Sequence, residues 1–301
     1  MKKMPGVFLA FILFFMIVPE PRPITLALVG DLMIGRGVAG IAENDPDGRT
    51  FDALRPWLSS ADLAFGNLES PVSENQPDFT EPYNLCANAR GLRMLKNAGF
   101  DLLSTENNHK YDCEKDSEGE VREKTPETSN MIRYTGMSAV DSSTRATEIS
   151  IRGVRLVFLA AEDVSEPMDL AQLITTVKTS KESGALVIVS LHWGVEYQAS
   201  PTSRQRQIAK SLADGGVDLI IGHHPHITQP MEWIKGDQQN RPALVFYSLG
   251  NALFDQRGLA DTRRGTLAFV QISPLGTHNF TIVPFQIAIN GGGIRLQSNN
   301  N

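Results

Sequence analysis

Seven short apolar runs constrain the fold of this chain more than any other feature of its sequence. Each run is six to eight residues long, leads into polar residues and has no side polar enough to face water. Strands of this kind are covered on both faces, by helices or by a second sheet. The sequence therefore predicts an α/β protein with buried sheets. The runs are residues 24–30, 61–67, 100–105, 155–160, 185–191, 217–222 and 243–250.

Helices and further strands are predicted around these runs. The clearest helix covers residues 201–214, with Ser200 as its N-cap, Pro201 in its first turn and two glycines as its end. The segment "NARGLRMLKNAGF" is a similar helix that ends at Gly99. Near the C-terminus, "TLAFVQI" and "NFTIVPFQIAI" alternate apolar with polar residues, which indicates antiparallel strands at the edge of a sheet.

The N-terminal segment differs from the rest of the chain. Two lysines precede an unbroken apolar stretch at residues 7–18, which is short for a membrane span and suits the core of a signal peptide. We expect residues 1–23 to be a signal peptide or, if they are not cleaved, an N-terminal membrane anchor; a buried helix is the alternative. Residues 24–295 would then form a single domain.

The chain has two cysteines, Cys86 and Cys113, whose state depends on whether the protein is exported. An even pair in an exported protein can form one disulfide across the loop between them. Two unpaired buried thiols are the alternative, and the sequence leaves this choice open.

The charge balance limits the possible partners. The chain has 34 acidic and 28 basic residues, for a net charge of −6. Such a chain has no general attraction for polyphosphate, and we expect it to bind no nucleic acid. An anionic substrate would therefore be held by local devices such as metal ions or helix ends.

Polar side chains that can bind metals follow five of the apolar runs. Because loops at the carboxyl ends of strands aim their side chains at a common point, such residues often form one site. Carboxylates, amides and imidazoles without thiolates suit Mn, Fe, Zn or Mg. A lone histidine is usually structural, but here five of the six histidines fall in three such clusters. The residues are Asp31, Asn67, Glu69, Asn107, Asn108, His109, Asp112, His192, Glu196, His223, His224 and His226.

Six blocks of sequence resemble the signature blocks of the CapA-type poly-gamma-glutamate capsule synthesis proteins, in the family's order. The blocks are "GDLMIGR", "GNLESPV", "ENNHKYD", "HWGVEY", "GHHPH" and "YSLGNALFD". That family belongs to the calcineurin-like metallophosphatase superfamily, and the resemblance spans about residues 25 to 290. It implies a four-layer α-β-β-α sandwich, in which two mixed sheets pack face to face between helices and hold a dinuclear metal centre at one edge.

The resemblance also implies which residues bind the metals. Asp31 and His226 would bind the first ion, and Glu69 would bridge the two. Asn108 would bind the second ion. The two further ligands of the second ion would be His192 and His224. One or two divalent ions (Mn, Fe, Zn or Mg) are therefore the expected cofactor. Ordinary metallophosphatases have a histidine two residues after the first aspartate, whereas this chain has Met33, a loss that CapA-type proteins share.

The remaining polar residues are assigned to catalysis or substrate binding. His109 would be the general acid facing the leaving group, with Asp112 as its orienting carboxylate. Glu196, four residues after His192, would orient a ligand or the attacking water; a solvated loop carboxylate is the alternative. The candidates for contact with the substrate are His223, which could instead be an outer partner of the ligands, Asn67, Asn251 and Arg204, for which a plain surface charge is the alternative.

The expected function follows from the resemblance. It implies an exported protein that acts in synthesis, export or processing of an anionic envelope polymer such as poly-gamma-glutamate. If the protein is an enzyme, a metal-activated water would attack a phosphoryl or acyl centre while His109 protonates the leaving group. The alternatives are a non-catalytic, polymer-binding partner of a membrane capsule synthase, and a secreted phosphodiesterase or phosphatase.

Overall fold

A computed structural model describes residues 22–73, 83–113, 132–137, 144–237, 241–256, 258–288 and 293–297. The strands are β1 (Ile24–Leu32), β2 (Leu63–Leu68), β3 (Val72–Ser73), β4 (Ala87–Asn88), β5 (Leu102–Ser104), β6 (Arg133–Met137), β7 (Thr144–Arg145), β8 (Thr147–Ile151), β9 (Val154–Glu162), β10 (Leu186–His192), β11 (Leu219–His223), β12 (Met231–Lys235), β13 (Pro242–Phe246), β14 (Asn251–Leu253), β15 (Arg264–Ser273), β16 (Gly276–Ile287) and β17 (Ile294–Leu296). The α-helices are α1 (Arg36–Asn44), α2 (Arg55–Ser60), α3 (Ala89–Ala98), α4 (Leu170–Glu182) and α5 (Ser203–Gly215).

Two large mixed sheets organise the described part of the chain. The first has the order β17-β16-β15-β1-β2-β5-β6-β7, with β14 beside the end of β1. Its strands β1, β2, β5 and β6 run parallel, whereas β15, β16 and β17 are antiparallel. The second has the order β12-β13-β11-β10-β9-β8, with four parallel strands between two antiparallel edge strands.

The sheets pack face to face, with helices outside them, in the four-layer α-β-β-α sandwich that the sequence predicted. Along β1, Leu26 and Leu28 pack between the sheets, while Ala27 and Val29 pack under the helices of the first sheet. Both faces are thus buried, because successive side chains of a strand point to opposite sides. The second sheet buries its other face under α4 and α5. This explains why the runs have no polar side.

Two details of the sequence prediction need correction. The N-cap of α5 is Thr202 and not Ser200, because the Thr202 hydroxyl accepts the backbone N–H of Gln205 and the Thr202 backbone N–H donates to the Gln205 side chain in a capping box. The antiparallel direction of both C-terminal segments is confirmed, but neither lies at the edge of the sheet. "TLAFVQI" lies in β15, between β1 and β16, and "NFTIVPFQIAI" lies in β16, between β15 and β17. The helix that precedes Gly99 is confirmed as α3, with Gly99 in the left-handed conformation at its end.

Cys86 and Cys113 are joined by a disulfide, which decides the alternative that the sequence left open. The segment expected to be a signal peptide or anchor, residues 1–23, falls almost entirely outside the described residues. Among the residues that are described, no helix has the length and apolar character needed to span a membrane.

An ion pair joins the two sheets at the edge where β1 begins. The Arg152 guanidinium, in the β8–β9 turn, binds both carboxylate oxygens of Asp62 and the carbonyl oxygen of Pro23. The hydrogen bonds from Arg152 lower the pKa of Asp62 to about 2. A folded-state pKa below the unfolded value means that the stabilisation is present above about pH 4 and is lost as the pH falls through about 2.

Asp62→Asn should therefore destabilise the protein at neutral pH, by at most about 1 kcal/mol because the pair is exposed. The difference in urea midpoint between wild type and variant should shrink as the pH falls from about 4 to about 2. Arg152→Gln should cause the same loss, and the double variant should lose no more than either single variant. A difference that stays constant with pH would show that the ion pair is not its source.

Candidate metal centre

The parallel strands of both sheets end at one edge of the sandwich, and the predicted site residues other than Arg204 meet there. Asp31 lies in register with Asn67 of β2 on one side and with Asn251 of β14 on the other. On the facing sheet, His192 ends β10 beside His223 of β11. Ile188, Ser190 and His192 alternate along β10 with residues that face the helices, so the imidazole of His192 points toward the first sheet.

Asp31 is fully buried and is surrounded by donors. Its Oδ1 accepts from the Asn67 amide at 2.8 Å and lies 3.4 Å from Nδ1 of His223. Its Oδ2 accepts from the His224 backbone N–H at 3.3 Å and lies 3.5 Å from Nδ1 of His226. Burial opposes ionisation, but the contacts with His223 and His226 hold the pKa of Asp31 well below its usual range. Asp31 is therefore a carboxylate fixed by the fold.

Glu69 is the most unusual group of the cluster. Its side chain is fully buried, and neither carboxylate oxygen has a hydrogen-bond partner among the described residues. Three imidazole Nε2 atoms surround Oε1, those of His226 at 3.6 Å, His109 at 3.9 Å and His192 at 4.0 Å. Burial raises the pKa of Glu69 to about 8. Buried carboxylates without partners are costly, so this arrangement needs a positive charge at its centre.

The spacing of these atoms fits a divalent metal ion. Two ligand atoms that each lie about 2.1 Å from one ion are between about 3.0 and 4.2 Å apart. The Nε2 atoms of His226 and His192 lie 3.6 Å and 4.0 Å from Oε1 of Glu69, within this range. The ligand atoms of Asp31, Glu69 and His226 lie within 4.8 Å of one another, and so do those of Glu196, His224 and His226. The oxygen and nitrogen donors suit Mn, Fe, Zn or Mg.

Asn108 and His192 form the second part of the cluster. The amide oxygen of Asn108 lies 2.7 Å from Nε2 of His192. On the other side of the ring, Nδ1 lies 3.3 Å from the Asn67 amide nitrogen. Burial holds the pKa of His192 well below its usual range, so the ring is neutral. The structure thus brings together two of the three side chains that the resemblance assigned to the second metal besides the bridging Glu69.

His226 is held in one tautomer by Asn251. The amide nitrogen of Asn251 donates to the Thr262 carbonyl at 2.9 Å and to Oε1 of Gln256 at 3.0 Å, so its oxygen must face His226. This oxygen lies 3.0 Å from Nδ1 of His226, which therefore carries a proton. Nε2, the other ring nitrogen, points at Glu69. A metal-binding histidine is typically oriented by such an outer partner.

Asn251→Ala should therefore weaken metal binding by about 10- to 100-fold, because the ring of His226 would lose its fixed tautomer and orientation. Titration calorimetry with Mn²⁺ or Zn²⁺ measures this change. Asn97→Ala is the matched control, since the Asn97 amide donates to the Pro46 carbonyl on the outer face of the first sheet. Equal affinities for wild type and Asn251→Ala would contradict this role.

The histidines of the "GHHPH" turn are separated by an unusual backbone conformation. His224 and His226 both have positive φ angles, of 92° and 58°, which non-glycine residues adopt rarely and usually at functional sites. The ring of His224 lies 4.9 Å from that of His192 and 5.9 Å from that of His226. Burial lowers the pKa of His224 to about 4, which keeps the ring neutral. His224 therefore lies on the His192 side and His226 on the Asp31 side.

His109 approaches the centre from the loop after β5. Its Nδ1 lies 2.9 Å from Oδ2 of Asp112, and its Nε2 faces Glu69. The loop is fixed by Asn107, whose side chain donates to the Leu68 carbonyl and accepts the backbone N–H of His109. The His109 side chain is 19% exposed, so its Nε2 edge lies between the buried carboxylate and solvent.

Three residues expected to contact the substrate lie behind the metal-binding side chains instead. Asn67, His223 and Asn251 have at most 1% exposure. His223 continues the inward-facing alternation of β11 and sits beneath Asp31, while the two asparagines orient Asp31 and His226. In this structure these three side chains are enclosed and do not lie at a surface open to solvent.

Arg204 and Glu196 lie outside this group of enclosed side chains. The Arg204 guanidinium forms a two-point ion pair with Asp163, and none of its hydrogen bonds to described residues joins the centre. Its position on α5 therefore fits the alternative of a surface charge. Glu196 is 43% exposed, and its Oε1 lies 3.9 Å from Nε2 of His226. Of the two, Glu196 is the one near the cluster, where it could also bind a metal.

Arg36 was not singled out from the sequence, although it is the last residue of the "GDLMIGR" block. Its guanidinium binds Asp255 and lies 5.5 Å from the centre of the Phe254 ring, which packs 4.8 Å from the His226 ring. Its positive charge acts against the rise in the pKa of Glu69. A cation therefore lies at the edge of a cluster rich in carboxylates.

The fold is shared with calcineurin-like phosphoesterases. A solved structure of a novel phosphatase from Mycoplasma pneumoniae is similar to 87% of this chain and 93% of that one, with a TM-score of 0.56 and 11% sequence identity. At this identity the likeness concerns the fold alone.

The sequence identifies a narrower group within that fold. Residues 25–256 match the model of the family "Bacterial capsule synthesis protein PGA_cap", and the chain belongs to this family. The PGA biosynthesis protein CapA of Bacillus subtilis is 31% identical over 88% of this chain and 72% of its own length. The capsule biosynthesis protein CapA of Bacillus anthracis is 30% identical over 89% of this chain and 68% of its own length.

Proposed function

We propose that this protein is an exported, metal-dependent hydrolase that acts on poly-gamma-glutamate or a similar anionic polymer of the cell envelope during its synthesis, export or processing. The observation that carries the proposal is the buried, unpartnered carboxylate of Glu69 among three imidazole nitrogens. A protein without a ligand for this carboxylate gains nothing from burying it. Metal ions, when bound, would polarise the substrate and activate a water molecule at neutral pH.

His109 is the group that we propose for proton transfer. With its Nδ1–H held by Asp112, the protonated ring directs Nε2–H toward the centre, where it can reach a leaving oxygen or nitrogen. Asp112 keeps the ring in one orientation and stabilises its positive charge. The exposed edge of His109 lets this proton be replaced from solvent after each turnover.

Export and an anionic substrate rest on separate observations. The apolar stretch after two lysines suits a signal peptide or membrane anchor, and a disulfide is typical of proteins that leave the reducing cytosol. Relatives named for capsule and PGA biosynthesis support an envelope polymer as the substrate. Membrane components of a capsule synthase are the partners that we propose with it. With a net charge of −6, the chain must attract an anion locally, through bound metal and Arg36.

A secreted phosphodiesterase or phosphatase is the second candidate, because the fold is that of a phosphatase. The same donors and the same proton-transfer residue would serve phosphoryl transfer. The two candidates differ in substrate and not in the location of the site.

The test is a parallel assay of the purified protein on poly-gamma-glutamate and on a phosphodiester reporter. The control is the double variant His192→Ala, His224→Ala, which removes two donors from the second part of the cluster. Polymer cleavage by wild type but not by the variant supports the proposal, and cleavage of the reporter alone supports the second candidate. A protein that binds metal and polymer but cleaves neither substrate is a non-catalytic partner, and the hydrolase proposal is then rejected.

A further inference from the structure

We propose that the Cys86–Cys113 disulfide is a positioning device for the proton-transfer pair, because it locks Asp112, and through it His109, onto a segment that is fixed to the loops of Asp31 and Glu69. This inference rests on the proposed function for the role of His109. Its structural content, which is how Asp112 is held, can be tested without any substrate.

One oxygen of Asp112 makes both of the relevant contacts. Oδ2 accepts the backbone N–H of Leu85 at 2.6 Å and lies 2.9 Å from Nδ1 of His109. The position of Leu85 therefore sets the position of the carboxylate, and the carboxylate sets the orientation of the imidazole. His109 itself lies on a loop without helix or strand. Asn107 fixes its backbone, and Asp112 orients its ring.

The disulfide lies directly beside this contact in both segments of the chain. Leu85 precedes Cys86, and Asp112 precedes Cys113, so the covalent bond joins the next residue on each side. It prevents the two segments from separating by more than the length of the bridge, and it keeps the Leu85 N–H in reach of Asp112. A hydrogen bond alone can open and close, whereas a covalent bridge cannot.

The segment around Cys86 is in turn attached to the loops that carry the buried carboxylates. Ala87 donates to the Pro71 carbonyl, two residues after Glu69, and β4 pairs with β3. Gly35, four residues after Asp31, packs so closely that a Cβ there would lie 2.5 Å from the Leu85 carbonyl oxygen. Three loops of the site are thus joined through residues 84–88.

The bond should affect proton transfer and leave the metal-binding side chains in place. Asp31, His192 and His223 belong to strands in the centre of the two sheets, and Glu69 directly follows one. Among the described residues, His109 and Asp112 depend most directly on the segment that the disulfide holds. Asn108, in the same loop, is also held from the opposite sheet by its contact with His192. We therefore expect loss of the bond to lower kcat with little change in metal content or KM.

The test is the Cys86→Ser, Cys113→Ser double variant, made in wild type and in a His109→Gln background. In wild type, kcat should fall by about 10- to 100-fold, since a misplacement of about 1 Å has effects of this size. In the His109→Gln background the same change should alter kcat by less than about twofold, because the group being positioned is absent. Equal losses in both backgrounds, or no loss in wild type, would overturn the inference.

Hydrogen–deuterium exchange provides the readout that needs no turnover. In the serine variant, peptides covering residues 83–88 and 107–113 should exchange about tenfold faster, while peptides from β1 and β10 keep their protection. Unchanged exchange at these two segments would also overturn the inference. If wild type cleaves no substrate, the hydrolase proposal fails, but the exchange result still decides how Asp112 is held. If the serine variant does not fold, reduction and reoxidation of the folded wild type give the same comparison.

Discussion

Glu69→Gln is expected to lower the affinity for divalent metal by more than 100-fold, beyond the loss of about 10- to 100-fold that removal of an outer partner causes. The carboxylate lies within 4.0 Å of three imidazole nitrogens and has no hydrogen-bond partner among the described residues, so a bound cation would stabilise it. A neutral amide keeps the shape but loses the charge. Titration calorimetry with Mn²⁺ and Zn²⁺ measures the effect.

The metal-free proteins provide the control. Because the buried carboxylate has no partner, metal-free Glu69→Gln should be at least as stable as metal-free wild type in thermal unfolding. A variant that is both unstable and unable to bind metal would leave the ligand role unproven. A stable variant with wild-type affinity would contradict it.

His109→Gln is expected to lower kcat by about 10²- to 10⁴-fold, the usual contribution of a general acid. Metal content should not change, because the ring lies at the outer side of the cluster, where its side chain is 19% exposed. Asp112→Asn should lower kcat by a smaller factor, because Asp112 contacts Nδ1 of His109 and acts on proton transfer through that ring. Single-turnover kinetics measure the chemical step directly.

The matched control for this pair is Lys110→Gln. Lys110 lies in the same loop and pairs with Glu106, but its side chain makes no hydrogen bond to the buried carboxylates of the cluster. It should therefore keep most of the activity. If His109→Gln turns over as fast as wild type, the proton comes from another group and the assignment is rejected.

The fold was predictable because its signals are local. Each buried strand is apolar on both faces, and each polar residue that ends a strand is adjacent to it in sequence. The carboxyl ends of parallel strands meet at an edge, which is enough to bring Asp31, Glu69 and His192 together. Prediction of the four-layer sandwich therefore required only the pattern of runs and the resemblance.

The orienting contacts could not be predicted in the same way. Asn251 reaches the centre because the chain leaves β13 in the second sheet and enters β14 beside β1 in the first. This crossing depends on the close approach of Gly30 to Gly250, where a Cβ on Gly30 would overlap the backbone. His223 faces the interior because the alternation of β11 continues to the last residue of the strand, and the sequence does not mark where that strand ends. Such contacts are set by tertiary packing.

The central claim is that the side chains at this edge form a metal centre, and anomalous diffraction tests it most directly. Crystals grown with saturating Mn²⁺ should show a peak at about 2.0 to 2.2 Å from a Glu69 oxygen and from Nε2 of His226. The peak should vanish in Glu69→Gln. A wild-type map with no anomalous peak beside Glu69, with Mn²⁺ and again with Zn²⁺, would contradict the claim.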